Sequence, residues 1–200
     1  MRHSGPRLGA AVALAAIVAG CRTAPPTLPP SHVAWEVRRP QLQAVAHFEL
    51  NGRVAVAAGD EGFNANLHWR QEGARSQVSL QGPLGVGGAQ ITASGDALTV
   101  TTARGERIDD AQAHAELAAR LGFDPPLASL RYWVLGVPDP AQPATEALDP
   151  TQQRLTGLTQ DGWRVDFQSY VSASGESLPA RLTMQRDAVR VRVLVDNWQL

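Results

Sequence analysis

From Phe48 onward the chain repeats with a period of two, and that period restricts it to sheet structure with one face in water. Phe48, Leu50, Val54 and Val56 alternate with Glu49, Asn51, Arg53 and Ala55. Phe63, Ala65, Leu67 and Trp69 alternate with Asn64, Asn66, His68 and Arg70. Successive side chains of a strand point to opposite faces, so each segment reads as a half-buried antiparallel strand. The pattern runs on through Gln77 to Gln81, Ala89 to Ala93 and Ala97 to Thr102, interrupted at Gly73, Gly95 and Asp96, residues that turn readily. It returns near the C-terminus. Trp163, Val165 and Phe167 alternate with Arg164, Asp166 and Gln168; Val189, Val191, Val193 and Val195 alternate with Ala188, Arg190, Arg192 and Leu194, of which Leu194 breaks an otherwise polar face.

Between the two strand sets the period changes. A helix is expected from a cap at Asp109 or Asp110 through Leu117 and Leu121 to Gly122, and a second from Pro126 to Leu135, stopped by Gly136 and Pro138. A loop rich in proline and acid, Pro138 to Pro150, leads to the second strand set. Ahead of the first strand, Trp35, Leu42 and Val45 mark a short amphipathic helix between Val33 and Val45, kinked or restarted at Pro40. One apolar sheet face with helices between its halves implies a mainly β fold, a curved sheet or open antiparallel barrel with helices over one end.

The N-terminus carries a different signal. Basic Arg2 and Arg7, an apolar run from Ala10 to Ala19 and the small pair Ala19-Gly20 stand directly before Cys21, the single cysteine of the chain. The run is shorter than the about 20 residues that span a bilayer. Residues 1–20 are therefore expected to be a lipoprotein signal peptide, removed ahead of Cys21, whose thiol is lipidated. Pro25, Pro26, Pro29 and Pro30 make residues 21–32 an acylated cysteine and proline-rich tether. Residues 33–200 remain for a single domain with a sizeable core. No cysteine is left for a disulfide, so an oxidising compartment follows from the signal alone.

Several chemistries find no footing. The formal net charge of the whole chain is −1, and nothing in its distribution suggests a nucleic-acid partner. All basic residues are arginine, and no phosphate-binding G-x-x-x-x-G-K-[ST] loop occurs. Gly85-x-Gly87-Gly88 precedes a strand where a dinucleotide fingerprint needs a helix. His32, His47, His68 and His114 lack metal-ligand spacing, and no G-x-S-x-G elbow is present. Asp109-Asp110 suits a helix cap better than half of a metal site. The expectation is a protein that is not an enzyme and uses no metal or cofactor.

An apolar concave face has two fates: its own side chains fill it, or space is left for a ligand. The first gives a structural or assembly lipoprotein that binds only proteins. The second leaves room for an apolar ligand; Trp69, Trp133 and Trp163 are large enough to line such a space, with core packing the alternative role of each. Gly82-Pro83-Leu84-Gly85-Val86-Gly87-Gly88 is the most unusual internal element, a loop between two strands with an apolar tip.

Five stretches together resemble the LolB family of outer-membrane lipoprotein receptors: the small residues before Cys21, Gly82-Pro83-Leu84-Gly85, Ser129-Leu130-Arg131-Tyr132-Trp133-Val134-Leu135-Gly136, Gly162-Trp163, and Asp196-Asn197-Trp198. The resemblance spans Trp35 to Trp198. It implies an open antiparallel barrel with helices over an apolar cavity, and a protein that takes lipoproteins from a soluble periplasmic LolA-like carrier and inserts them into the outer membrane. Partners implied are that carrier, lipoprotein acyl chains and outer-membrane phospholipid, with a monomer as the default. The membrane insertion loop is implied at Pro83, Leu84 and Gly85, with Leu84 at its tip. Gly82 stands where the family often has an amide or acid. Arg22 after the acylated cysteine, in place of the aspartate that retains lipoproteins in the inner membrane, implies outer-membrane placement, anchored by lipid and facing the periplasm.

Overall fold

A computed structural model describes residues 33–82 and 88–200. The expected signal peptide, Cys21, the tether to residue 32, and Pro83, Leu84 and Gly85 lie outside the described residues. Among the described residues the order is α1 (Trp35–Gln43), β1 (His47–Ala58), β2 (Glu61–Glu72), β3 (Arg75–Gln81), β4 (Gly88–Ser94), β5 (Ala97–Thr102), β6 (Arg107–Asp109), α2 (Asp110–Leu121), α3 (Leu127–Trp133), β7 (Ala144–Asp149), β8 (Arg154–Gln160), β9 (Trp163–Ala173), β10 (Glu176–Arg186) and β11 (Val189–Gln199).

The strands make one antiparallel sheet in the order β6-β5-β4-β3-β2-β1-β11-β10-β9-β8-β7. The chain enters at the centre and walks by hairpins to one edge. It then crosses through α2 and α3 to the other edge and walks back, so that the first and last strands pair, Leu50 opposite Trp198. β6 and β7 do not pair with each other, which leaves the barrel open, with the helices inserted between its edges. This is the expected open antiparallel barrel.

Alternating burial follows the sequence period. Phe48, Leu50, Val54 and Val56 are buried in β1, as are Ala65, Leu67 and Trp69 in β2 and Val191, Val193 and Val195 in β11. At the centre, the Phe48 ring lies 5.8 Å from Trp69 and 5.7 Å from Trp198. Such tilted and edge-on aromatic contacts add to the stabilisation from burial itself.

Gly52 marks the join between the two halves. The β1–β11 register shifts between Asn51 and Gly52, and a Cβ at Gly52 would stand 2.1 Å from the Leu194 carbonyl oxygen. Both partners are backbone, so neither gives way without loss of pairing. Gly52→Ala is expected to destabilise by about 3 kcal/mol or more, at the upper end of overpacking costs. A chemical denaturation midpoint within error of the parent would contradict this.

Four strands exceed what the alternation marks. β7 lies inside the segment expected to be a loop from Pro138 to Pro150; as an edge strand paired only with β8, it has little need of apolar alternation. β6 is three residues long, and β8 carries Gly157 at its middle. β10 contains Pro179, and its pairing with β9 shifts between Pro179 and Leu182, where a bulge accommodates the missing N–H.

The helices match in place, with corrections at their ends. α1 runs through Pro40 as one element and is shorter than the expected Val33–Val45. Polar contacts hold it to the sheet. Trp35 Nε1 donates to Glu146 at 2.7 Å, and the buried Arg38 donates to Glu176, Gln153 O and Ser177 O. Asp109 occupies the N-cap position of α2, but its carboxylate does not cap. It accepts instead from Thr99 Oγ1 at 2.6 Å and Arg107 Nε at 3.0 Å, and the Arg107 guanidinium holds this carboxyl below the usual range. Gly122 ends α2 with φ of 76°, the left-handed C-cap expected there.

Candidate functional site: an apolar cavity under the helices

Between the inner faces of both strand sets and the helical insertion lies a partly open cavity of about 100 Å³. The sheet contributes Val54, Leu67, Trp69, Trp163, Met184 and Val193 among others; the cover comes from Leu121, Phe123, Pro125, Pro126, Leu127 and Leu130, with Trp133 behind them. Every lining residue is apolar or aromatic. Alternation places the sheet residues there, because each occupies the inward phase of its strand.

Trp69, Trp133 and Trp163 therefore line one common space, with the Trp133 and Trp163 rings 6.2 Å apart. Trp69 Nε1 donates to Gln71 at 3.2 Å, and Trp133 Nε1 donates to Gln160 at 2.8 Å. Trp163 Nε1 is buried without a partner; its ring packs edge-on to Phe123 at 5.5 Å and under the Arg186 guanidinium at 4.7 Å. The other two tryptophans serve elsewhere. Trp35 fastens α1, and Trp198 packs on Phe48 while donating to Pro179 O at 2.9 Å.

Phe123, Met184, Val191 and the Pro125–Leu127 turn also line the cavity, and sequence reasoning did not single them out. Inward phase would have found Met184 and Val191. The turn residues carry no periodic signal, since only their position between two helices brings them over the sheet.

α3 is set against the barrel by polar ties that begin at its third residue, Ser129. Ser129 Oγ donates to Asp139 at 2.8 Å, Arg131 Nη1 to Gly73 O at 3.2 Å, and Trp133 to Gln160. Toward the cavity, Leu121, Phe123, Leu127 and Leu130 offer only apolar surface. Elsewhere Tyr170 donates to Leu155 O at 2.7 Å, and burial pushes its phenol well above the usual range, so it remains a donor.

The register also orders the two ends of the barrel. β3 ends and β4 begins with Gln81 opposite Gly88, at the same end as the β1–β2, β8–β9 and β10–β11 turns. α1 lies at the opposite end, beside Gln153 in the β7–β8 turn and Glu176 at the start of β10. Among the described residues, no three His, Cys, Asp or Glu side chains gather as a metal site.

Comparison with known proteins fits this architecture. The family model described as outer membrane lipoprotein LolB matches residues 46–198. The chain is 30% identical over 187 residues to the outer-membrane lipoprotein LolB of Nitrosococcus oceani, covering 92% of each chain. It is 32% identical over 166 residues to that of Ectopseudomonas mendocina, covering 82% of this chain and 80% of the relative. Among solved structures, a LolA superfamily protein from Nitrosomonas europaea superposes with a TM-score of 0.54 at 12% identity, covering 84% of this chain and 94% of the other. A putative outer membrane lipoprotein-sorting protein domain from Vibrio parahaemolyticus gives 0.52 at 8% identity, over 82% and 90%.

Proposed function

The chain belongs to the LolB family of outer-membrane lipoproteins, and from that premise we propose that it receives lipoproteins from a periplasmic LolA-like carrier and inserts them into the outer membrane. The observation that carries the reading is the wholly apolar cavity between the sheet and the α2–α3 cover. A lipoprotein bears about three acyl chains, and at about 0.8 kcal/mol per methylene a chain of some 14 methylenes holds around 11 kcal/mol of transfer free energy from water. Free diffusion is excluded by that magnitude. The chains pass from one apolar compartment to the next, and the bilayer as the last and strongest acceptor drives the sequence without nucleotide.

Size sets a condition on this mechanism. A dry apolar cavity of about 150 Å³ holds benzene, so 100 Å³ is less than one acyl chain requires. Uptake therefore needs the cover to move outward. The segment from Leu121 to Ala128 is the wall to do so, because its inner contacts are apolar and the polar ties to the barrel begin only at Ser129. In this reading Trp69, Trp133 and Trp163 remain as the fixed wall that acyl chains meet.

Lipidation of Cys21 holds the protein at the periplasmic face. A proline-rich stalk extends roughly 3.1 Å per residue, so a tether of about a dozen such residues would reach some tens of ångströms. That length suffices to turn the domain so that the end bearing the β3–β4 connection, and with it Leu84, faces the bilayer, although α1 sits at the other end. Mass spectrometry of the N-terminal peptide from membrane fractions is expected to find acyl chains on Cys21; a free thiol in soluble protein would refute the anchor.

The small volume is also the observation that favours the second reading, a structural or assembly lipoprotein whose barrel is filled. The test is transfer. A radiolabelled lipoprotein is loaded on its periplasmic carrier, this protein is added without its anchor, and the label is followed. Movement of label to this protein is expected. Label that stays on a functional carrier, with no uptake of an apolar fluorescent probe, would leave the filled-barrel reading in its place.

A further inference from the structure

Beside the cavity lies a second compartment of about 640 Å³ with different chemistry. This groove runs from Asp96 in the β4–β5 turn, along Ala128 and Arg131 of α3, to Gln142 and to Asp161 in the β8–β9 turn. Pro125, Pro126 and Leu127 line both spaces, so one thickness of chain divides the apolar cavity from the groove. The cavity offers no polar side-chain donor or acceptor other than its tryptophan N–H groups, whereas the groove offers both donors and acceptors.

Arg131 is the unusual group in it. Its Nη1 donates to Gly73 O at 3.2 Å and its guanidinium lies 4.7 Å over the Tyr132 ring. Among the described residues, Nε is buried without a partner, Nη2 makes no hydrogen bond and no carboxylate pairs with the charge. A guanidinium carries five N–H donors, and buried polar groups of native proteins are almost always paired. Nε is closed off from solvent, so it is the unpartnered Nη2 that leaves an acceptor to be supplied from the groove. Asp96 and Asp161, both exposed and outside any ion pair among the described residues, offer acceptors at the two ends of the same groove.

The geometry points to this groove as the binding site for the extended polypeptide that follows the acylated cysteine of the cargo. The inference rests on the proposed function: acyl chains in the cavity are covalently joined to a peptide, and that peptide needs a path past the Pro125–Leu127 wall. Extended backbone presents carbonyls to Arg131 and N–H groups to the aspartates, which suits a groove of mixed character. An anionic phospholipid headgroup would gain Arg131 but meet two unpaired carboxylates, and like charges disfavour it.

Photo-crosslinking in the full-length lipidated protein tests this. Benzoylphenylalanine is placed at Ala128, exposed in the groove, or at Leu130, which lines the cavity. A lipoprotein is then delivered from its carrier. The expected result is acyl-chain adducts from position 130, and from position 128 adducts that map to the first residues after the acylated cysteine. Arg131→Gln is expected to lower the second signal at least fivefold and leave the first unchanged, which also shows that the variant folds. Acyl adducts at 130 together with phospholipid adducts, or none, at 128 would overturn the groove assignment and leave the receptor reading intact. An Arg131→Gln variant with undiminished peptide adducts would remove Arg131 from the site. Absence of acyl adducts at 130 would overturn the receptor reading and the groove assignment with it.

Discussion

A chain carrying Gln160→Leu is expected to lose about 3–5 kcal/mol of folding stability, because this one amide joins four groups with no other buried partner to turn to. Gln160 sits at the end of β8, 2% exposed. Its Oε1 accepts from Trp133 Nε1 at 2.8 Å and Asp139 N at 2.9 Å, and its Nε2 donates to Asp139 O and Gln142 O, each at 2.9 Å. Leucine is of similar size, so no cavity arises and the loss is almost wholly polar. Each buried group left unpaired costs about 1–3 kcal/mol, and exposed Gln142 regains water, which sets the range. Domains of this kind hold about 5–15 kcal/mol in total. Urea unfolding is expected to show a much lower midpoint at unchanged slope. A shift worth less than about 1 kcal/mol would mean that the network does not position α3. It has functional weight as well, since Trp133 is both a member of the network and part of the cavity wall.

The network also illustrates where sequence reading stops. Gln160 precedes a turn in an unremarkable strand end, and three of its four partners are backbone groups of Asp139 and Gln142, which carry no side-chain signature. Arg131 is similar: it stands inside a recognisable stretch, yet only the fold reveals that its Nε faces no acceptor. By contrast, β1, β2, β9 and β11 were legible because each buries one face, and the period of two is the direct trace of that burial. α2 was legible from Gly122, whose left-handed conformation ends the helix, while the role of Asp109 was not, because Thr99 on the neighbouring strand and Arg107 on its own strand compete for its carboxylate. β7 escapes because an edge strand need not alternate to be held, and β10 because its proline bulge interrupts an alternation that resumes only at Leu182 and Met184. Inward phase placed the tryptophans of β2 and β9 on the concave side. Whether side chains fill that side or leave room depends on the α2–α3 cover, whose position no periodicity encodes.

Leu84→Glu is expected to leave uptake from the carrier intact and to lower insertion of cargo into outer-membrane vesicles at least tenfold. In the proposed function the anchor is the acylation of Cys21, at around 11 kcal/mol per chain. One leucine buried in lipid adds only about 1.5–3 kcal/mol, so its loss does not release the protein from the membrane. What that energy can do is bring the end of the barrel that carries the β3–β4 connection down onto the bilayer for the moment of transfer. A tenfold change corresponds to about 1.4 kcal/mol, so removing the contact is enough to suppress the step, and a carboxylate adds a desolvation cost against any partial approach. The discriminating measurement is two-staged: label moving from carrier to this protein, then from this protein to vesicles. Normal first and failed second stages place Leu84 in release. Failure of the first stage, or of folding, would make the loop structural. Unimpaired insertion would mean that the cavity delivers its chains without a contact from Leu84.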